Sequence, residues 1–457
     1  MKKRISKTQN SKEKAKPKKK AAVIGGGLTG MAVADRLLIS GFDVTIIEKN
    51  SFLGGLAASF EHRGRQIPIY YHHVFSHDNI TKSYLGRFGL IDNMVWKRIK
   101  MCILVNGKKY NFTDPHSLLK FDYLSFFGRI RYGLFGAYVL FLMNPKNIDD
   151  KLNAKEWLYQ VAGKEVADKI FYHLQARNKF GIKLNEISAK QFAHRLKAGE
   201  AIGVFGYPKK GLQLLIDRFE QSLIKRGCNI IKSASVKKID LLKKEIVPEI
   251  KDKNKLKKNH AGINSGSRII KYDVTVNTIP VPEFLKAANG LPDEYRKKLS
   301  KIKYCPAVSI TIGADKLMSY HYWINVLNER IHMIMQHSWL FDGYKEKISW
   351  VLRYGGSAED LPLSDSQIRK EYLSVVKKYF PEIKILWSRV FREKYASPIY
   401  DKDYYKYKPD YRSPVPGLYN AGIAVSYPKI RNMNTAFESG LNAARIIIED
   451  QKSKKGM

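Results

Sequence analysis

Residues 21–30 read AAVIGGGLTG, and this stretch decides the fold. The apolar run from Ala21 to Ile24 predicts a buried parallel strand. The glycine cluster that follows, with Gly25, Gly27 and Gly30 in the spacing G-x-G-x-x-G, predicts a tight turn from that strand into a helix. This stretch therefore predicts the first half of a βαβ unit.

The spacing of the three glycines also predicts a ligand. Gly25 permits the tight turn, Gly27 lets a pyrophosphate approach the backbone, and Gly30 lets the helix pack on the sheet. The first helical residues, Leu28 and Thr29, place unpaired N–H groups and a partial positive charge at the same point. We expect a dinucleotide to bind there.

The chain after this loop completes the unit. Residues 28–40 have helical spacing and end at Gly41, and Val44–Ile47 is the next apolar strand. Glu48 follows directly, eighteen residues after Gly30, where a carboxylate accepts both ribose hydroxyls of the adenosine. An acid at this place argues against a ribose 2′-phosphate, and hence against NADP.

A second glycine pair distinguishes between dinucleotides. Gly54, Gly55 and Leu56 lie shortly after Glu48 and Lys49, and the pair lets the chain pass close to the diphosphate and ribityl groups. An NAD enzyme has no need of such a pair. We therefore expect FAD.

The run from Val23 to Ser59 resembles the opening of the flavin amine oxidase superfamily, which includes protoporphyrinogen oxidases, phytoene desaturases and monoamine oxidases. Later segments are similar to the same superfamily in the same order, and weaker matches favour the protoporphyrinogen oxidase-like members. The resemblance implies an FAD site formed by Gly25, Gly27, Leu28, Thr29, Gly30, Glu48, Lys49, Gly54, Gly55, Leu56, Val236, Gly422, Met433 and Asn434.

The predicted fold class is mixed α/β, with a discontinuous Rossmann-like FAD-binding domain and an interleaved substrate domain of helices and an antiparallel sheet. We expect the FAD-binding domain to comprise residues 21–77, 205–295 and 385–450, and the substrate domain residues 78–204 and 296–384. Residues 78–201 are expected to be mostly helical.

The charge is strongly positive, with 81 Lys and Arg against 42 Asp and Glu among 457 residues. Residues 1–20 contain many of these lysines and lack apolar periodicity, which predicts a disordered basic tail. The remaining excess favours anionic partners and repels cationic amines. Since no nucleic-acid-binding module is recognisable, we expect no specific nucleic acid.

Membrane contact is a separate question. The uncharged segment Tyr132–Pro145 is too short to span a bilayer. It is either a buried helix or one wall of an apolar channel that touches a membrane surface. The three dispersed cysteines predict neither a metal site nor a disulfide, so we expect a cytoplasmic protein or one attached to the inner face of a membrane. The sequence leaves the oligomeric state open.

Candidate reacting groups follow the second glycine pair, in Tyr70–His77. His72 or His73 is expected to accept a proton or bind an anion, unless these histidines only bond between domains. Tyr400 is a further candidate for the cavity, with packing as the alternative role.

These features predict an FAD-dependent oxidoreductase that takes a hydride from an apolar small molecule, with or without an anionic group, such as a porphyrinogen or polyisoprenoid. The alternative is a redox-neutral flavin enzyme resembling UDP-galactopyranose mutase, because His73–His77 is similar to a histidine-containing segment of that family. A non-enzymatic nucleic-acid binder is the third interpretation and has only the charge in its favour.

Overall fold

The computed structural model describes residues 17–112, 114–199, 203–250, 269–355 and 357–453. The prediction of a disordered tail therefore lies outside the described residues for positions 1–16. At the other end of that predicted tail, Lys20 is the first residue of a strand, and its backbone N–H donates to Asp273 Oδ2 at 2.7 Å.

The strands and the α-helices are numbered separately, each in chain order. The strands are β1 (Lys20–Ile24), β2 (Asp43–Ile47), β3 (Ser59–His62), β4 (Arg65–Pro68), β5 (Val74–Phe75), β6 (Met94–Arg98), β7 (Met101–Val105), β8 (Lys108–Asn111), β9 (Val204–Pro208), β10 (Asn229–Ile231), β11 (Ala234–Asp240), β12 (Glu245–Ile250), β13 (Ile270–Lys271), β14 (Val274–Asn277), β15 (Ala288–Asn289), β16 (Tyr304–Ala314), β17 (Trp323–Val326), β18 (Met333–Gln336), β19 (Lys347–Tyr354), β20 (Ile385–Pro398) and β21 (Leu418–Asn420). The α-helices are α1 (Leu28–Ile39), α2 (Asn79–Arg87), α3 (Pro115–Leu119), α4 (Phe126–Ala137), α5 (Ala154–Val161), α6 (Lys164–Val166), α7 (Ala189–Lys197), α8 (Gln213–Lys225), α9 (Val281–Ala287), α10 (Asp293–Ser300), α11 (His337–Leu340), α12 (Asp365–Tyr379), α13 (Tyr404–Tyr407) and α14 (Met433–Ser453).

A parallel sheet carries the glycine loop. Its strands run in the order β10-β2-β1-β14-β21, and every neighbouring pair is parallel. These strands come from distant parts of the chain, as a discontinuous Rossmann-like fold requires. Helices α1 and α14 cross in backbone contact, because a Cβ on Gly440 would lie 2.5 Å from the carbonyl oxygen of Thr29. The predicted mixed α/β class is confirmed.

A second, mostly antiparallel sheet faces the first. Its order is β20-β16-β19-β18-β17-β7-β8, with the long strands β16, β19 and β20 side by side. Helix α12 covers one face of this sheet through Ile368 and Tyr372, which pack with Val308 and Ile310 of β16. The opposite face is left to the cavity described below.

The expectation that residues 78–201 are mostly helical is wrong for the part that contains β6, β7 and β8. Strand β7 is a continuous buried run, MCILV, and it extends the second sheet by pairing in parallel with β17. The turn into β8 is Asn106-Gly107, and both residues have positive φ, of 49° and 78°. Asn-Gly between apolar runs is a strong hairpin signal, so the sequence itself contains the information for this hairpin.

The uncharged segment around Tyr132 is not a buried helix on all sides. Helix α4 runs into a wider π-helical turn at Tyr138–Leu142. Phe127, Phe141 and Leu142 are 80%, 81% and 78% exposed, whereas Phe135 on the opposite side is buried. Of the two alternatives for Tyr132–Pro145, the buried helix is therefore wrong for the face that carries Phe141 and Leu142. Within the described part of the chain, no helix is long and apolar enough to span a bilayer.

Candidate functional site

A single cavity of about 930 Å³ lies between the two sheets. At one end, which we call the glycine end, it is lined by Gly25, Gly27, Glu48, Gly55 and Val236. At the other end, which we call the aromatic chamber, it is lined by His72, Trp323, Leu352, Tyr354 and Arg431. Cavities that enclose small molecules have volumes of roughly 300–1,000 Å³, so this space is at the upper end of that range.

The three spaced glycines of the loop have different structural roles. Gly25 has φ +104°, and a Cβ there would lie 2.7 Å from Thr278 Oγ1. A Cβ on Gly30 would lie 2.0 Å from the carbonyl oxygen of Gly25, so Gly30 holds α1 against the loop and does not line the cavity. A Cβ on Gly27 would meet nothing nearer than 4.0 Å, which leaves its cavity face open for a ligand.

Helix α1 begins at this open face. Gly27 is its N-cap and has no side chain to satisfy the first N–H groups. Leu28 and Thr29 line the cavity, and the Thr29 hydroxyl is directed away from these groups, donating to the carbonyl of Ala436 at 2.9 Å. Free N–H groups and the positive end of the helix dipole therefore face the space where a diphosphate fits.

Glu48 lies at the end of β2 and serves two purposes. Its Oε2 accepts from the backbone N–H of Gly26 at 2.7 Å, and its Oε1 accepts from that of Asn50 at 2.8 Å. Burial raises the pKa of Glu48, although these two hydrogen bonds and the charge of Lys49 oppose the shift. Each carboxylate oxygen has a further lone pair. Glu48 thus holds the glycine loop and still offers an acceptor to the cavity.

The second glycine pair lies against the first loop. Gly54 N–H donates to the carbonyl of Gly26 at 2.8 Å, and a Cβ on Gly55 would lie 3.2 Å from the Cα of Gly27. Gly54 and Gly55 have φ values of +102° and +57°, and Leu56 continues the cavity wall. Two backbone segments that meet without side chains form a cradle that any Cβ would fill, so the residues present fit FAD.

Later segments close the glycine end, with one exception. Val236, Gly422 and Met433 line the cavity. Lys49 lines it too, with Nζ 3.3 Å from Glu283 Oε1. Asn434 is not part of this lining.

The side chain of Asn434 has a different partner. Its Oδ1 accepts from the backbone N–H groups of Ile80 and Thr81, at 3.0 and 3.1 Å, and so holds the first turn of α2. The neighbouring Asn432 does line the cavity, and its Oδ1 accepts from Thr435 N–H at 2.8 Å. Asn432 was not predicted.

His72 and His73 both line the aromatic chamber. His72 Nδ1 lies 2.9 Å from the carbonyl oxygen of Tyr70, which places the proton on Nδ1 and leaves the lone pair on Nε2. Burial lowers the pKa of His72, and the hydrogen bond to Tyr70 opposes this shift. The imidazole is therefore neutral at pH 7 and able to accept a proton.

His73 is held more firmly. Its ring stacks on Phe205 with centroids 4.0 Å apart, and its Nδ1 lies 3.0 Å from the hydroxyl oxygen of Tyr322. Burial, with the nearby His72 and Lys179, lowers its pKa to about 3. These contacts fit a wall residue better than a group that exchanges protons.

Tyr400 is placed away from the cavity lining. It is buried, packs against Tyr404 and Tyr427, and its hydroxyl donates to the carbonyl of Ile423. Its contact with the segment beside Gly422 is structural. Of the two roles considered for Tyr400, lining the cavity or packing in the core, its contacts correspond to packing.

The sequence predicted none of the three arginines that line the cavity. Arg392 pairs with Asp365 at 2.7 Å. Of the other two, Arg195 comes from α7, and Arg431 lies two residues before Met433. The guanidinium carbon of Arg431 is 4.1 Å from the ring centroid of Tyr354. Arg431 lies close to Met433 and Asn434, which the resemblance assigned to the FAD site, and this was an available signal. Nothing in the sequence around Arg195 marks it.

Comparisons with known proteins agree with this geometry. A 15-cis-phytoene desaturase of an Oncidium hybrid cultivar is 23% identical, over 96% of this chain and 80% of its own length. A putative protoporphyrinogen oxidase from Exiguobacterium sp. 255-15 has the same fold, with a TM-score of 0.74 at 16% identity, over 95% of this chain and 99% of the other. Reduced UDP-galactopyranose mutase is similar, with a TM-score of 0.73 at 15% identity, over 95% and 94% of the two chains.

The sequence profile of one family covers almost the whole chain. The family is described as flavin containing amine oxidoreductase, and its profile matches residues 28–448. This match confirms the resemblance seen in residues 23–59, and it extends that resemblance through both sheets. The chain belongs to the flavin-containing amine oxidoreductase family and is an FAD-dependent oxidoreductase.

Proposed function

We propose that the protein oxidises an apolar small molecule in the aromatic chamber, as a dehydrogenase or oxidase, with FAD bound along the glycine end. One observation supports this most directly: a single cavity connects the open face of Gly27 and the carboxylate of Glu48 to a chamber walled by Trp323 and Tyr354. FAD supplies an acceptor for the hydride of the substrate.

The chain's own groups bind and orient this cofactor in the proposal. The N–H groups at the start of α1 bind the diphosphate, and Glu48 accepts hydrogen bonds from the ribose hydroxyls. Met433 lies in the first turn of α14, whose partial positive charge favours negative charge on a nearby ligand. The other members of the proposed site are Gly25, Gly30, Lys49, Gly54, Gly55, Leu56, Val236, Gly422 and Asn434, of which Gly30 and Asn434 act by holding helices in place.

The chamber's own groups orient the substrate. Trp323, Leu352 and Phe391 present apolar surface and exclude water from the reacting carbon. Neutral His72 accepts the proton that the substrate loses when it gives up a hydride. The names of the desaturase relative and of the protoporphyrinogen oxidase neighbour fit this proposal, since both describe enzymes of large apolar molecules.

The test begins with the purified protein, which should be yellow and should bleach when its flavin is reduced without oxygen. Porphyrinogens, isoprenoids, amines and sugar nucleotides are then added separately, and flavin absorbance is followed. Bleaching by a porphyrinogen or an isoprenoid is expected, and bleaching by amines is not, because the protein is strongly cationic. A colourless protein that cannot be reconstituted with FAD would contradict the proposal.

The sugar nucleotides test the redox-neutral alternative. An enzyme of that kind would convert a nucleotide sugar only after its flavin had been reduced, and it would consume no electron acceptor. Turnover of this sort, together with no bleaching by any apolar compound, would replace the proposal.

We also propose that the exposed apolar face of α4 and the following turn contacts an anionic membrane surface. Phe127, Phe141 and Leu142 project from this face. Basic side chains lie around them: Lys120, Arg131 and Lys146 are all exposed. Apolar side chains that enter the headgroup region next to lysines and arginines are typical of helices that lie on anionic bilayers.

Vesicle sedimentation tests this contact. The protein should sediment with vesicles of phosphatidylcholine and phosphatidylglycerol, and less with phosphatidylcholine alone. Serine at Phe127, Phe141 and Leu142 together should reduce binding by more than about 10-fold, since each apolar side chain contributes about 1.5–3 kcal/mol when fully buried. Leu242→Ser is the matched control, because Leu242 is equally exposed, at 81%, but lies in another part of the surface. Equal binding by the triple variant and the control would refute the contact.

A further inference from the structure

Three cationic side chains meet at the aromatic chamber. Arg195 and Arg431 line the cavity, and Lys179 lies behind the wall, with Nζ 4.6 Å from the ring centroid of Trp323. Arg195 is 4% exposed and Lys179 is 2% exposed. Positive charges at the chamber create a potential that attracts an anion into it.

The contacts of Arg431 leave most of its donors unused. Its Nη1 lies 3.9 Å from Cys305 Sγ, and its guanidinium stacks over Tyr354. Burial lowers the pKa of Arg431. The interactions with Tyr354, Cys305 and Tyr71 raise it by a larger amount in total, so the net shift of the pKa is upward. No carboxylate is among these groups, and no salt bridge joins Arg431 to an acid within the residues that the structure describes.

Arg195 approaches the same point from α7. Its Nε donates to Gln175 Oε1 at 3.0 Å, which fixes the guanidinium. Burial raises the pKa of both Cys305 and Tyr354, and the positive charges of Arg431 and Arg195 oppose this shift at each group. Both guanidinium groups are therefore within electrostatic reach of the same two side chains.

The acids that line the cavity lie elsewhere or have other partners. Glu48, Glu249 and Glu283 are at the glycine end. Glu393 accepts from the backbone N–H of Tyr395 at 2.9 Å, and its charge acts on Tyr70. The positive potential at Arg431 is therefore available to a ligand.

We propose that the substrate carries a carboxylate or phosphate group that binds between Arg195 and Arg431, while its apolar body lies along Trp323, Leu352 and Phe391. This inference rests on the proposed function and specifies its substrate class as an amphipathic anion. A guanidinium matches the planar geometry of a carboxylate or phosphate and forms paired hydrogen bonds with it. Anchoring one end fixes which carbon of the substrate faces the acceptor.

The experiment measures binding to the FAD-loaded protein by titration calorimetry, with three probes that share one apolar chain: octanoate, octyl phosphate and 1-octanol. We expect at least one of the two anions to bind more than about 10-fold more tightly than the alcohol, which corresponds to about 1.4 kcal/mol. In Arg431→Met and Arg195→Met this preference should fall by about 10-fold or more. Arg445→Met is the matched control, because Arg445 pairs with Glu449 at 2.9 Å on the exposed side of α14.

Each outcome has a defined meaning. A preference for one anion alone supports the inference and distinguishes carboxylate from phosphate. Equal or undetectable binding of the three probes to the wild-type protein overturns it, and this comparison needs no variant to fold. If Arg431→Met changed only the flavin reduction potential and kept the anion preference, Arg431 would act on the cofactor and the inference would also fail.

The result is separable from that of the proposed function. A protein without FAD contradicts the proposed function before any probe is added. A yellow protein that shows no anion preference contradicts only the substrate class inferred here.

Discussion

At the glycine end of the cavity, backbone groups of residues close together in sequence form much of the wall, whereas in the aromatic chamber the wall consists mainly of side chains from distant segments. The glycine end depends on Gly25, Gly27 and Gly55, which bring two loops into contact. The chamber is built from Arg195 on α7 and Trp323 on β17, together with other side chains. The first arrangement leaves too little room for a Cβ at Gly25 or Gly55 and keeps the space at Gly27 for a ligand. The second is able to change ligand by exchanging side chains.

The largest expected effect comes from adding one methyl group at the glycine end, in Gly30→Ala. Its Cβ would lie 2.0 Å from a backbone oxygen, so α1 must move away from the loop. We expect a loss of about 3 kcal/mol in the free energy of unfolding, at the upper end of the usual cost of overpacking, together with loss of bound FAD. Thermal unfolding and flavin absorbance of the purified protein measure both effects.

Gly136→Ala is the control for this change. Gly136 is also helical, in α4, and a Cβ there would meet nothing within 4 Å. Alanine should stabilise this position by up to about 1 kcal/mol, because glycine is a poor helix former. If the two variants behaved alike, close packing would not be what distinguishes the glycine end.

This difference also explains what the sequence was able to predict. The glycine loop, Glu48 and the second glycine pair could be recognised because they follow one another within residues 21–56 and each glycine has a steric reason. Two central strands of the parallel sheet, β1 and β2, are short apolar runs of the same segment.

The chamber could not be predicted in this way. Arg195 lies on a helix whose sequence gives no sign of the cavity, and it meets Arg431 only because distant segments fold together. Asn434 was assigned to the cofactor from its neighbours in sequence, but its side chain caps α2. Register and side-chain direction are tertiary properties, and no local pattern determines them.

The second effect, on rate, tests the chamber. His72→Gln should lower the rate of flavin reduction by roughly 10²–10⁴-fold, because it removes the proton acceptor. Stopped-flow absorbance measures this rate with the apolar substrate that the screen identifies. FAD content should stay unchanged.

In the wild-type protein the rate of flavin reduction should fall only at a pH well below neutrality, since burial lowers the pKa of His72. The same substitution at exposed His77 is the control, and an unchanged rate in His72→Gln would exclude His72 as the base.

The third effect concerns cofactor affinity. In the wild-type protein the two carboxylate oxygens of Glu48 accept from the backbone N–H groups of Gly26 and Asn50. In Glu48→Gln, the amide NH₂ must face one of these N–H groups, so one hydrogen bond is lost because both partners are donors. We expect the FAD dissociation constant to rise by about 10- to 100-fold, since hydrogen bonds to a charged group contribute roughly 1.5–3 kcal/mol. Flavin fluorescence during dilution measures it. Glu249→Gln is the control, because Glu249 lines the same end but is exposed to solvent; equal losses in both variants would show a general charge effect.

The fourth effect is on the pH dependence of stability. The unfolded chain protonates its histidines as the pH falls below about 6.5, whereas folded His73 stays neutral down to about pH 3. The stability that His73 contributes is therefore present above about 6.5 and lost between these two values. Its share of the loss between pH 7 and pH 5 is at most about 2 kcal/mol. In His73→Phe, urea unfolding should show a correspondingly smaller loss, and an unchanged pH dependence would mean that His73 is not neutral in the folded state.

The smallest effect is expected for a charged side chain at the rim of the glycine end. Lys49 lies beside Glu283 in a largely exposed ion pair, with side chains 46% and 32% exposed. Exposed pairs contribute about 0.2–1 kcal/mol, so Lys49→Met should raise the FAD dissociation constant by less than about fivefold. A double-mutant cycle with Glu283→Gln separates the pair from any direct contact between Lys49 and the cofactor. If Lys49→Met instead weakened FAD binding as strongly as Glu48→Gln does, side chains would control the glycine end as they control the chamber, and the contrast between the two ends would not hold.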